Sequence, residues 1–376
     1  MKIPGALLWE PGTNSGWSVE EIELDGPKFR EVTVKLAASG ICHSDDHVDT
    51  GDIPLPWAPL LGGHEGAGVV TDLGEGADQG ASGLQKGDHV GLSFLPSCGQ
   101  CDMCARGRAN MCALGAGVLG GVAPDGTHRV HARGQGVGCF SYLGTFAPYV
   151  TVPVDACVKI DKDIPLDKAA LVGCGVPTGW GSSVYAGEIP MGGTVVIFGV
   201  GGVGMNAVQG ARHKMAGNIV AVDPNPKKRD WAKDFGATHV AKDEDEALEI
   251  VTELTNGQGA HTVIITMGVA DPKLMQPAQA MTMRGGTLVL TAASKMQISN
   301  LDFDLYTFAM SGKRLQGTLY GTTNARIDMP LILSMYKRGE YKLDELVTNT
   351  YKLEDINQAF TDLRNGDNIR GVIMYD

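Results

Sequence analysis

Two hydrophobic rhythms divide the chain. Through its first half, short apolar or alternating runs, Ala6 to Glu10, Val32 to Ala38, Gly68 to Asp72, His89 to Ser93 and Tyr149 to Val152, are separated by glycine-rich turns. Runs of that length and period read as strands, so the pattern predicts an irregular, mostly β domain. Near residue 176 the rhythm changes. Strand-like runs at Thr194 to Phe198, Asn218 to Val222, Thr238 to Ala241, Thr262 to Thr266, Thr287 to Thr291 and Arg314 to Leu319 now alternate with helix-length segments. Six strands spaced in this way predict the two mononucleotide-binding halves of a doubly wound parallel sheet. Beyond residue 321 the pattern predicts helices over Asp328 to Lys337 and Glu354 to Arg364, then a last strand, Gly371 to Tyr375, whose partner it does not assign.

Length and charge bound what such a chain does. Its 376 residues leave room for two domains, each burying a core, and 43% hydrophobic with 20% charged residues is the balance of an ordinary globular protein. A formal net charge of -12 repels a phosphate backbone or an anionic lipid surface. Neither nucleic acid nor membrane is therefore expected as a partner. No apolar run approaches the ~20 residues that span a bilayer, and Met1-Lys2-Ile3-Pro4-Gly5 does not read as a secretion signal. A cytoplasmic location is the expectation. No internal repeat interrupts the two-part pattern.

Eight cysteines change the picture. Cys98, Cys101, Cys104 and Cys112 follow C-x2-C-x2-C-x7-C, four thiolates that fill a tetrahedral zinc and leave no place for substrate. Disulfides do not suit a large chain without a secretion signal. Ferredoxin-type iron-sulfur runs close with C-x3-C-P, whereas here seven residues precede Cys112 and Ala113 follows it. Cys42, His64 and Cys174 are scattered and supply only three ligands, which keeps a fourth position for water or substrate, as catalysis requires. His64 lies in the glycine-rich stretch Gly62 to Gly68, and Cys174 falls just before the change of rhythm. Cys139 and Cys157 read as small buried residues.

Gly199-Val200-Gly201-Gly202-Val203-Gly204 follows a clear strand and opens an apolar, small-residue stretch, Val203 to Ala211, that predicts a helix. In that context the glycines have separate tasks: Gly199 makes the tight turn, Gly201 lets backbone approach a pyrophosphate, and Gly204 packs helix on sheet. Asp223 ends the next strand, where a carboxylate holds the adenine ribose hydroxyls and repels a 2'-phosphate, favouring NAD over NADP. Lys227, Lys228 and Arg229 follow it, and fit either a phosphate contact or a solvated helix start.

Cys42, Gly63-His64-Glu65, the four-cysteine lobe at residues 95–115, Gly173-Cys174-Gly175-Val176, the glycine turn and Asp223 together resemble the zinc-containing medium-chain alcohol dehydrogenases, over essentially the whole chain. The resemblance implies an α/β protein with a Rossmann doubly wound parallel sheet at 176–321. A GroES-like, mostly-β catalytic domain would comprise 1–175 and 322–376, with the catalytic zinc at the cleft. It implies two zinc ions per chain: a catalytic one on Cys42, His64 and Cys174, and a structural one on Cys98, Cys101, Cys104 and Cys112. Glu65 becomes a group able to exchange onto the catalytic metal, and Asp45 the acceptor that orients His64. Ser44 takes the alcohol proton, which passes through the cofactor ribose to His47 and so to solvent. Read without the family, Ser44 caps a helix starting near Asp45, and His47 is a surface residue. His43 stands where many members place arginine against the pyrophosphate. Arg370 matches a second pyrophosphate contact, and Thr178 and Val203 positions near the nicotinamide, beside Gly199, Gly201, Gly202 and Gly204 of the turn; of the basic residues after Asp223, Lys228 is the expected cofactor contact. Phe94, Tyr142 and Trp57 are the expected substrate wall, with ordinary core packing as the other reading of each.

Leu7 to Trp17, His131-Ala132-Arg133-Gly134-Gln135 and Val176 to Gly181 narrow the resemblance to bacterial nicotinoprotein alcohol dehydrogenases assayed with N,N-dimethyl-4-nitrosoaniline. This implies oxidation of primary alcohols to aldehydes with tightly bound NAD(H), recycled in place by a second substrate or an external electron acceptor. The alternatives are an ordinary dehydrogenase with exchangeable NAD, a glutathione-dependent formaldehyde dehydrogenase, or a formaldehyde dismutase. A non-catalytic zinc- and NAD-binding protein is the reading from another class, and the intact set Cys42, His64, Cys174, Ser44 and His47 argues against it. A homodimer through the Rossmann domain, or a homotetramer, is the family expectation.

Overall fold

The computed structural model describes residues 1–80, 83–292, 295–296 and 300–376. The chain forms two compact units, Met1–Cys174 with Asn324–Asp376, and Gly175–Thr323.

In the first unit a closed barrel is built from strands Lys2–Leu8, Ser18–Leu24, Val130–Ala132, Gln135–Cys139 and Leu60–Leu61. Leu7, Ile22, Leu61, Val130 and Val137 fill it. The expected first strand, Ala6 to Glu10, lies earlier, because the chain turns after Leu8 and Thr13 donates its hydroxyl to the Glu10 carbonyl at 2.7 Å. A second sheet runs in the order Cys157–Lys159, His89–Leu92, Gly66–Leu73, Glu31–Gly40, Arg370–Met374, Val347–Tyr351, with Tyr149–Pro153 also paired to Glu31–Gly40. The C-terminal strand thus finds its partners, antiparallel to Glu31–Gly40 and parallel to Val347–Tyr351. Helix α1, His43–Thr50, leaves the end of Glu31–Gly40. The two C-terminal helices run over Ala325–Lys337 and Ile356–Asn365.

The second unit holds six strands, β1 (Thr194–Phe198), β2 (Asn218–Val222), β3 (His239–Ala241), β4 (Ala260–Ile265), β5 (Thr282–Leu290) and β6 (Arg314–Gly317). They pair in parallel in the order β3-β2-β1-β4-β5-β6. This is the doubly wound order, with the switch point between β1 and β4. All five residues of β1 are buried, as in a parallel sheet covered on both faces. Val196, Val220, Val263, Ile265 and Leu288 form the core on one side. The last strand ends at Gly317, two residues short of its expected run, and just beyond it Tyr320, Gly321 and Thr322 take left-handed backbone, with φ 58, 65 and 62. No helix among the described residues is long and apolar enough to cross a membrane.

Candidate functional site

Three separated segments meet in the first unit. Cys42 stands in extended backbone immediately before α1. His64 and Glu65 follow Gly63, whose φ of +88 and closeness to Thr145 and Phe146 exclude a side chain. Cys174 follows Gly173, where a Cβ would come within 2.3 Å of the Leu92 carbonyl. The ligand atoms of Cys42, His64, Glu65 and Cys174 all lie within 4.8 Å of one another.

The surroundings aim these atoms. Asp45, fully buried on α1, accepts the Gly63 amide at 2.8 Å and places its other oxygen 3.0 Å from His64 Nδ1. That leaves His64 Nε2 buried and without a hydrogen-bond partner among the described residues. An imidazole whose Nδ1 faces a carboxylate presents Nε2 as the metal-binding nitrogen. Phe94 and Phe140 meet the His64 ring edge to face, at 5.8 and 5.3 Å. Burial disfavours a charged His64, yet the Asp45 and Cys42 charges outweigh it and hold the imidazole well above its usual range. Burial also raises Asp45, with His64 opposing. The hydrogen bond between the two thiols holds Cys42 well below the thiol range and pushes Cys174 well above it, so the pair shares one proton. A divalent cation bound by the two sulfurs would take the place of that proton and let both ionise. Two thiolates and an imidazole are zinc donors, so the residues fit the metal.

Glu65 is held by a buried ion pair with Arg370, which also donates to the Ile41 carbonyl at 3.2 Å. Arg370, the expected pyrophosphate contact, is 3% exposed, and its guanidinium lies against Glu65 and Ile41. Gly40 makes room, since a Cβ there would lie 2.1 Å from Glu65 Oε2.

The proton-carrying groups sit on α1. Because that helix begins at His43, Ser44 is within its first turn rather than its cap, with its Oγ 3.7 Å from Cys42 Sγ. His47 is no surface residue: it is 5% exposed, its Nδ1 3.3 Å from Asp52 Oδ2, and its ring 6.3 Å from that of His43. Of the expected substrate wall, Phe94 touches His64. Tyr142 donates its hydroxyl to the Leu114 carbonyl at 3.3 Å. Trp57 fits against Gly121 and Gly138 and donates to the Leu119 carbonyl at 2.7 Å.

The closed set also assembles. Cys98, Cys101, Cys104 and Cys112 bring their sulfurs within 4.8 Å of one another, and no disulfide joins any of the eight cysteines. Backbone amides point at these sulfurs, from Cys101 to Cys98 Sγ and from Cys98 to Cys112 Sγ, both at 3.3 Å. Hydrogen bonds from the Ala113 and Cys104 amides hold the Cys101 thiol down to about 6, while burial pushes Cys104 up to about 12. Four sulfurs gathered this closely are the donor number that a tetrahedral zinc would take.

In the second unit the glycine turn joins β1 to α2, Gly202–His213. Gly199 has φ +84, and a Cβ on Gly204 would lie 2.1 Å from the Gly199 carbonyl, so both are jammed. At Gly201, by contrast, a Cβ meets nothing within 4 Å, leaving open space at the N-terminus of α2 beside Gly202 and the half-buried Val203. That is the cradle a pyrophosphate requires. Asp223, at the end of β2, accepts from the Val200 and Asn225 amides at 3.1 and 2.9 Å. Among the basic residues after it, Lys227 lies over the Trp231 ring at 4.7 Å and Arg229 donates to the Asp223 and Pro224 carbonyls, while Lys228 is half-buried. Thr178 lies on the short helix Gly175–Gly181, its carbonyl accepting from Ser182. A Cβ on Gly179 would lie 2.0 Å from the Val203 carbonyl, so that helix packs directly on the start of α2.

Sequence reasoning missed Phe140, Asp52 and Arg364. Arg364 grips Asp46 and Asp49 of α1. The signal for Arg364 was present as three aspartates in an eight-residue helix, a run of charge that calls for a nearby cation, and Arg364 supplies it from a side chain that stays 37% exposed.

Comparison with known proteins agrees with this chemistry. Residues 202–337 match the family described as zinc-binding dehydrogenase, and residues 28–162 the alcohol dehydrogenase GroES-like domain. The chain is 48% identical over 376 residues to alcohol dehydrogenase B of Mycobacterium tuberculosis, covering 100% of this chain and 99% of that protein. It is 44% identical over 375 residues to the NDMA-dependent alcohol dehydrogenase of Amycolatopsis methanolica, with 100% and 99% covered. Among solved structures, benzyl alcohol dehydrogenase from Acinetobacter calcoaceticus superposes with a TM-score of 0.90 at 28% identity, covering 100% of both chains.

Proposed function

This chain belongs to the zinc-containing medium-chain alcohol dehydrogenases and is an oxidoreductase acting on alcohols, and from that premise we propose that it oxidises primary alcohols to aldehydes by hydride transfer to a tightly held NAD(H). The cofactor is then reoxidised in place by a second substrate or an external acceptor. The observation that carries this reading is the donor set Cys42, His64 and Cys174, with Ser44 at its edge and Asp45 behind His64. The four-cysteine lobe holds a second zinc.

Zinc at the three-ligand set supplies Lewis acidity to a substrate oxygen, and NAD supplies the hydride acceptor. The chain's own residues do the rest. Asp45 keeps His64 in the tautomer that binds metal. Ser44 Oγ receives the substrate's hydroxyl proton, and His47, braced by Asp52, takes it onward. Phe94 and Phe140 keep water from one side of His64 and favour an apolar alcohol, by about 0.8 kcal/mol per buried methylene. The similarity to an NDMA-dependent enzyme supports retained cofactor, whereas His43, in place of a permanently charged arginine, favours a second reading with exchangeable NAD. The working molecule is a homodimer or homotetramer.

Exhaustive desalting, denaturation and quantification of released nucleotide decide between the two. Near one NAD(H) per chain supports the retained-cofactor enzyme. Little nucleotide, with alcohol oxidation restored by added NAD, overturns it in favour of the exchangeable form.

A further inference from the structure

Helix α1 carries Ser44, Asp45 and His47, yet apolar packing scarcely holds it. Val48 is its sole apolar residue, no side chain caps its N-terminus, and eight residues are fewer than the roughly 12 at which isolated helices become even marginal. Its three aspartates are buried instead. Asp45 faces Gly63 and His64. Asp46 and Asp49 face the helix Ile356–Asn365, where Arg364 donates Nε to Asp46 at 2.6 Å and a terminal nitrogen to Asp49 at 2.9 Å. The stretch Glu10 to Trp17 closes the same end of α1: Gly12 and Asn14 amides donate to the Val48 and Asp49 carbonyls at 2.9 and 2.8 Å, and Gly16 donates to the Asp49 carboxylate at 3.2 Å. Trp17 exchanges two 2.8 Å hydrogen bonds with the Asn357 side chain and stacks on Phe360 at 5.5 Å.

We infer that Arg364, seconded by the Glu10 to Trp17 strap, is a positioning residue for the three-ligand metal site: by bridging Asp46 and Asp49 it fixes the roll of α1, and so the direction from which Asp45 holds His64. The inference rests on the reading of Cys42, His64 and Cys174 as that site. Neighbouring residues stand about 100° apart around a helix, so any roll that breaks the Arg364 contacts also swings Asp45 away from the imidazole. A guanidinium suits this task because its planar fork spans two carboxylates, whereas an ammonium is a point charge.

The test compares wild type with Arg364→Gln, Arg364→Lys and Asp49→Asn, measuring zinc loss to a chelator, the visible spectrum after cobalt(II) exchange, and the melting temperature. Arg364→Gln is expected to release zinc from the three-ligand site about tenfold faster or more, the scale of losing an outer partner of a ligating histidine. Its cobalt absorption should shift, release from the four-cysteine lobe should not change, and Arg364→Lys should recover the loss only in part. A lowered melting temperature with release and spectrum both unchanged would make Arg364 a structural tie and overturn the inference. Should Arg364→Gln not fold, Asp49→Asn, which keeps the Asp46 contact, decides by the same readouts. Wild-type protein that takes up no metal at Cys42, His64 and Cys174 would overturn the site itself, a failure separable from the first.

Discussion

Asp223 carries two obligations that pull apart under substitution. Its carboxylate is a fixed negative charge at the end of β2, and both oxygens also accept backbone amides, from Val200 in the glycine turn and from Asn225. Asp223→Asn removes the charge while keeping one acceptor; Asp223→Gly removes both. Once bound cofactor has been stripped, each is expected to raise NADP affinity relative to NAD by about tenfold, the scale of one unscreened charge contact. The glycine variant should lose about 1–3 kcal/mol of stability through two unsatisfied amides, and the asparagine variant a smaller part of that through one. Titration calorimetry with both nucleotides, alongside thermal melts, checks this, and an unchanged NADP-to-NAD ratio in both variants would remove Asp223 from cofactor selection. The charge at Asp223 was legible from its position after a strand and a glycine turn. Its grip on the Val200 amide was not, because that bond depends on the tertiary closeness of β2 to the turn. Likewise, three basic residues after Asp223 looked alike in sequence, yet Lys227 and Arg229 are engaged with Trp231 and with carbonyls.

Elements were legible where burial imposes a local period. Strands β1, β2 and β4 at the centre of the second unit are buried on both faces, so their apolar runs stand out, and the doubly wound order follows from the alternation with helices. The strand Ser18–Leu24 escaped notice because Glu21 and Glu23 fill its outward positions, Glu20 shares the inward face, and only Ile22 and Leu24 are fully buried. Helix α1 has no apolar face at all, and ionic contacts from remote residues hold it. The stretches Leu7 to Trp17 and His131 to Gln135, conspicuous in sequence without a physical role, meet in space: Arg133 lies 4.0 Å from the Trp9 ring and shares Glu20 with the indole nitrogen. The four-cysteine lobe is held differently again. Its helix Asp102–Ala105 has no buried residue, and Met103 and Met111 are exposed, so the thiols rather than a core must hold it. Metal binding at such a closed set is folding energy. Cys101→Ala should therefore lower the melting temperature and open residues 98–112 to proteolysis, with one zinc lost per chain. An unchanged melting temperature and digestion pattern, with the zinc gone, would contradict it.

At the scale of the whole molecule, β6 is an unfinished edge. It ends the parallel sheet with all four of its residues exposed, and its outer backbone groups have no strand beside them among the described residues. The helix before it, Leu305–Met310, buries none of its side chains, with Leu305 74%, Tyr306 78% and Met310 61% exposed. An exposed apolar edge is a hazard that proteins usually cover. A second copy is the occupant that the expected homodimer supplies, and the net charge of -12 adds a reason for an apolar seam, since two like-charged molecules gain nothing from charge pairing at long range. A stable dimer requires about 800 Å² from each partner, which a strand edge, Leu315 and an adjoining exposed helix are well placed to provide. Tyr306→Glu and Leu315→Glu together would bury like charges without partners in such a contact, costing several kcal/mol. Sedimentation velocity at micromolar concentration is expected to show wild type at twice or four times the chain mass and the double variant shifted toward one chain. Metal content should stay unchanged, because neither residue belongs to a zinc site. A double variant that sediments like wild type would place the interface on another surface and leave β6 as a bare edge.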